Sequence, residues 1–264
     1  MTSAAIQEDA GTTYFVNEHS IVRTIWGKAD TVLFIFAGSA AEFALNKAVD
    51  WLYFTGKLPA DPLGRLFSTV SYARAIVFAK NNDALKAIDK ITGIHSAVEN
   101  ARGAQIPDWA YRDVLFMLID YSIRSFEILE RKLTQQEKEE VFAVFYRIGD
   151  RMGLKGLPPT FNVWLTMRVQ HLDQNLVNGH YTKDLFKQYR KHLGALRYFI
   201  LIEVQKMIVP ERVKTLLRFG NLQIIYPVLA MYKFSRHLKM DWFLKSILLP
   251  GQYKQQVKEL DYTK

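Results

Sequence analysis

Helix punctuation constrains this chain more tightly than any other feature of it. Asp61-Pro62 pairs an N-cap with proline at the first helical position, where no intrahelical N–H is needed, and predicts a helix to about Lys80. Asn82-Asp83 opens the next, which reaches about Asn100 before Gly103. Pro107-Asp108 starts a long segment ending near Leu133, and Thr134-Gln-Gln-Glu137 is a capping box whose helix fades over residues 149–153. Leu157-Pro158-Pro159-Thr160 begins another that closes at Asn178-Gly179, and Thr182 opens a long helix that Pro210 interrupts. Shorter helical pieces are expected over 222–235 and 241–248. No alternating strand pattern or hairpin turn separates them, so the fold class is all-α with short connections.

With 264 residues, 49% of them hydrophobic, the chain can bury a core without covalent staples. It is expected to form a single helical domain over 1–264. There is no cysteine, which excludes disulfides, thiolate zinc sites, iron–sulfur clusters and covalently attached haem. Residues 1–11 are polar and acidic rather than a secretory leader, and the longest apolar run, 31–41, is too short to span a bilayer before Glu42, Lys47 and Asp50. A cytoplasmic protein is the expectation. All of the +9 net charge comes from Tyr181 onward, where 16 Lys and Arg face 6 Asp and Glu and the rest of the chain is slightly acidic. That basic third is either a solvated face or a surface for peripheral membrane contact. Basic and aromatic residues mix near Tyr189, Arg190, Arg197, Tyr198, Tyr232, Lys233 and Arg236, but no nucleic-acid module surrounds them and no nucleic-acid partner is expected.

Few residues are placed to carry chemistry. Arg65 and Thr69 lie four apart on one helical face, and an Arg drawn partly into a core requires an anionic partner. His95 shares its face with Ile88, Ile91 and Val98, so its imidazole is either a hydrogen-bonded core group or a ligand for iron. No Glu-x-x-His or His-x-x-x-His pair, nucleotide-binding glycine loop or nucleophile elbow occurs. His171, His180 and His192 lack ligand spacing and read as surface residues. Phe116, Met117, Tyr121, Phe126, Phe142, Phe145 and Tyr146 form two aromatic-rich helices, suited to a core or to a pocket for a flat macrocycle or isoprenoid chain.

Read together, Asp61-Pro-Leu-Gly-Arg65-Leu-Phe-Ser-Thr69 and Ile94-His95-Ser-Ala-Val98 resemble the latex-clearing-protein and MpaB-type haem oxygenases. Asp120-Tyr-Ser-Ile-Arg124-Ser-Phe126-Glu127, the loop over 149–159 and Val209-Pro210-Glu-Arg-Val213 are similar to later segments of that family, in the same order. The similarity covers about 27–220, leaving 221–264 as a basic helical extension. It implies a globin-like helical core, a non-covalent haem b with His95 as proximal ligand, and Arg65 and Thr69 beside the haem pocket. It further implies dioxygen and a small hydrophobic, unsaturated or isoprenoid molecule as co-substrates. Latex-clearing members place a Lys directly before the Thr as a distal ligand; Ser68 stands there, so that closed form is not expected. The His-Pro carried by many relatives upstream is also missing from 34–49, and rubber is not the expected substrate. Glu42, alone in its apolar segment, is the candidate for a distal base, against a helix-surface role. The leading expectation is a haem-b oxygenase; the rivals are a haem protein without turnover (sensor, carrier or weak peroxidase) and a basic membrane- or partner-docking module.

Overall fold

The computed structural model describes residues 14–56 and 60–220 together with Leu229 and Tyr232, and only the backbone of Leu66. Among the described residues ten helices follow in order: α1 Ile21–Trp26, α2 Ala29–Leu45, α3 Val49–Phe54, α4 Pro62–Val77, α5 Asn81–Arg102, α6 Asp108–Leu129, α7 Gln135–Arg151, α8 Phe161–Gln174, α9 His180–Ile208 and α10 Glu211–Leu217. Among the described residues the only β pairings are two isolated bridges, Tyr14 with Lys80 and Asn46 with Leu176. The class is all-α, as the punctuation predicts.

Local signals place most boundaries. Asp61 caps α4 by accepting the Gly64 amide at 2.9 Å, and Thr134 and Glu137 close both arms of the box that starts α7. Thr160 caps α8 through the Val163 amide. Several elements differ from expectation; α8, for one, closes at Gln174, four residues before Asn178. Helix α6 stops at Leu129, four residues short of Leu133, because Glu130 leaves helical geometry at φ −116°, ψ −93°. The long helix α9 is broken at Gly194, whose φ of 74° and ψ of 171° lie in a region that is essentially glycine's alone. The expected helices at 222–235 and 241–248 lie outside the described residues, apart from Leu229 and Tyr232.

Helix α2 is the centre of the molecule. Its apolar run is the signature of a helix enclosed on every side, and α6 and α9 pack along it as its most extensive neighbours. Contact with α6 is tight at Gly38, where a Cβ would meet the Tyr121 ring at 2.3 Å, so any larger residue would force the helices apart. The predicted aromatic helices α6 and α7 turn inward: Phe116, Tyr121, Phe126, Phe142 and Phe145 are all buried in the core with Trp26 and Trp164. Tyr189 and Tyr232 are buried too, bonding the Ala40 carbonyl and the Asp30 carboxylate. No described helix is long and apolar enough to cross a membrane.

Candidate functional site

Arg65 ends the first turn of α4, held there by the Asp61 cap and Pro62. Its guanidinium donates to Ser68 Oγ at 3.0 Å and to Thr69 Oγ1 at 2.9 Å. Both hydroxyls donate in turn to the Arg65 carbonyl, at 2.8 and 3.2 Å, so their lone pairs are left to face the guanidinium. Burial pushes the Arg65 pKa down, and no carboxylate lies within ion-pair distance among the described residues. The side chain is thus a half-buried cation held in place by neutral groups.

His95 sits on α5, which packs against α4. Ile88 below it is fully buried, Ile91 and Val98 are half-buried, and Ile94 is exposed. The imidazole Nδ1 is enclosed and has no hydrogen-bond partner among the described residues, an arrangement that costs about 1–3 kcal/mol for a buried polar atom. Burial and then the nearby Arg65 charge push the His95 pKa down, while Glu99 opposes them. At neutral pH the ring is therefore an uncharged nitrogen donor beside an uncompensated cation. The structure brings Arg65, Thr69 and His95 into one neighbourhood.

Tyr111, from the first turn of α6, completes that neighbourhood and carries no sequence signal of its own. Its ring lies 5.1 Å from the His95 ring, tilted by 54°, and its hydroxyl donates to Glu99 Oε1 at 3.0 Å. Burial and Glu99 together raise the Tyr111 pKa, so the phenol stays protonated and remains a donor.

Glu42 has a different setting from either a helix surface or a free base. It is 1% exposed, with Oε1 and Oε2 at 2.5 and 2.6 Å from the two ends of the Arg168 fork, and Oε2 also accepts the Tyr121 hydroxyl at 2.8 Å. Arg168 further contacts Asp120, which pairs with Arg124 one turn along α6. Burial opposes the Arg168 charge, but Glu42 and Asp120 more than offset it and raise its pKa. Among the described residues no hydrogen bond, ion pair or ring contact joins Glu42 to Arg65, Thr69 or His95. His171 also departs from expectation: it is buried and paired through Nδ1 with Asp113, which also accepts from Asn46 and Asn175. His180 is exposed and His192 half-buried.

The family model described as "ER-bound oxygenase mpaB/B'/Rubber oxygenase, catalytic domain" matches residues 16–222, most of the chain. The chain belongs to this oxygenase family. No curated protein and no solved structure matches it significantly, so the globin-like core remains an implication of the resemblance. The match begins eleven residues before the expected 27 and ends within two of the expected 220. It takes in Glu42, Arg65, Thr69, His95 and Tyr111. For an oxygenase of this kind the residues at α4 and α5 fit a haem. One unpartnered imidazole nitrogen suits iron, and one uncompensated guanidinium suits a propionate. Among the described residues no group of three or more His, Cys, Asp or Glu gathers to hold a bare metal ion, whereas a porphyrin supplies four nitrogens itself. A surface cleft lined by His19, Lys28, Phe126, Glu130, Arg131 and Glu140 contains none of these residues.

Proposed function

We propose that the chain is a haem-b oxygenase that uses dioxygen on a small hydrophobic substrate of unsaturated or isoprenoid type. The observation that carries the reading is the enclosed His95 nitrogen without a partner, beside a half-buried Arg65 without a carboxylate, in a chain of an oxygenase family. His95 would supply a nitrogen ligand to the iron; its depressed pKa keeps it neutral and able to ligate at neutral pH. Arg65 would hold a propionate, and Ser68 and Thr69 fix the direction of its guanidinium through the bonds described above. Haem iron supplies dioxygen activation when bound. The half-buried and exposed apolar side chains of α5, Ile91, Ile94 and Val98, give the ring and a hydrophobic substrate a surface from which water is displaced. Glu42 is assigned to the core pairing with Arg168 rather than to proton transfer, because both its oxygens are already occupied.

Visible spectroscopy after haem reconstitution tests the reading. A Soret band that His95→Ala weakens or shifts is expected; a chain that binds no haem overturns it. Oxygen-electrode assays with isoprenoid alkenes then separate an oxygenase from a haem carrier or sensor, which would give the same band without substrate-dependent O2 uptake.

A further inference from the structure

We propose that Tyr111, anchored by Glu99, is a positioning residue that fixes the plane of the His95 imidazole. The inference rests on the haem reading above and assigns a role to two residues it does not use.

Glu99 lies four residues after His95, on the same face of α5. That spacing would let the carboxylate approach the imidazole directly. Instead Oε1 accepts two donors from the turn and helix that follow: the Ile106 amide at 2.8 Å and the Tyr111 hydroxyl at 3.0 Å. Ile106 belongs to the reversal between α5 and α6, and Pro107 then starts α6 one turn before Tyr111. The carboxylate therefore ties the end of one helix, the turn and the start of the next into one unit.

A tyrosine ring has only two rotatable bonds, and this one is held at both ends, by its backbone on α6 and by its hydroxyl on Glu99. It presents a fixed wall to the His95 ring at 5.1 Å. No hydrogen bond orients that imidazole among the described residues. Metal-ligating histidines ordinarily gain their orientation from a hydrogen bond on the second ring nitrogen, and loss of such a partner typically costs about 10–100-fold in affinity. Here an anchored aromatic contact takes that place.

The test compares wild type with Tyr111→Leu, Tyr111→Phe and Glu99→Gln by haem titration, ferric Soret and electron-paramagnetic-resonance spectra, and NMR of the His95 ring in the haem-free protein. Tyr111→Leu is expected to weaken haem binding about tenfold or more, broaden the resonance spectrum and average the His95 ring signals. Tyr111→Phe, which keeps the ring but loses the anchor, falls between Tyr111→Leu and wild type, and Glu99→Gln tracks it. Far-UV circular dichroism checks folding; if Tyr111→Leu does not fold, Tyr111→Phe and Glu99→Gln carry the comparison on the same readouts. Variants that match wild type in affinity, spectrum and ring ordering overturn this inference alone. A wild type without a Soret band overturns the haem reading and this inference with it.

Discussion

Glu42 gives both carboxylate oxygens to Arg168 and still accepts the Tyr121 hydroxyl, all in a space closed to water. Removing the carboxylate leaves a buried guanidinium with only Asp120 opposite it. Glu42→Ala is expected to cost about 3–5 kcal/mol, the usual range for breaking a buried pair from one side. Tyr121→Phe, which removes one neutral donor, should cost about 1 kcal/mol. Urea denaturation of the two variants checks the order. None of this pairing was legible in the sequence: Arg168 lies 126 residues from Glu42, and His171 lies 58 from Asp113. Periodicity assigns a residue to a face but does not reveal what a distant helix sets against it. The half-buried setting of His95 was legible because its neighbours at helical spacing are on its own helix. Its depressed pKa has a consequence for the haem-free protein. Between its folded value and the ordinary 6.5 the unfolded chain binds the extra proton, so stability is full above that window and is lost as pH falls through it. Urea midpoints of wild type should drop between pH 7.5 and 5.5 by more than those of His95→Gln.

Helix starts were readable because their causes are local. Asp61, Thr134 and Thr160 each accept an amide three residues ahead, which a few letters of sequence specify completely. The break at Gly194 was not, since a lone glycine among helix formers reads as a tolerated weakness. A straight helix of 29 residues would run about 43 Å, well beyond the roughly 25 Å of α2. The kink resolves that mismatch. Before it, Thr182 and Tyr189 bond the Ala44 and Ala40 carbonyls; after it, Gln205 bonds the Ala37 carbonyl. A Cβ at Gly194 would touch nothing within 4 Å, so the cost of Gly194→Ala lies in the backbone alone. About 1–3 kcal/mol of destabilisation is expected, measured as a lower urea midpoint.

Burial is uneven across the molecule, and the candidate site lies on its thinner side. Helix α6 buries residues along its whole length, from Ala110 to Leu129, whereas α5, of equal length, buries only Ala84 and Ile88. From its middle onward α5 carries Ile91, Ile94, His95 and Val98 without full cover. A ligand that packs there adds the apolar contact that α5 lacks and satisfies the His95 nitrogen and the Arg65 charge together. Binding to the folded state alone must then raise stability by linkage, about 2.7 kcal/mol at a free concentration of one hundred times Kd. Haem is therefore expected to shift the melting temperature of wild type upward by several degrees. His95→Ala and Arg65→Ala should melt without haem much as wild type does, because among the described residues Arg65 bonds only the Ser68 and Thr69 hydroxyls and His95 makes a ring contact with Tyr111 but no hydrogen bond. With haem added, His95→Ala should lose nearly the whole shift and Arg65→Ala part of it. Differential scanning fluorimetry across a haem titration reads both. An equal shift in wild type and His95→Ala would place the haem elsewhere on the molecule, and with it the oxygen chemistry.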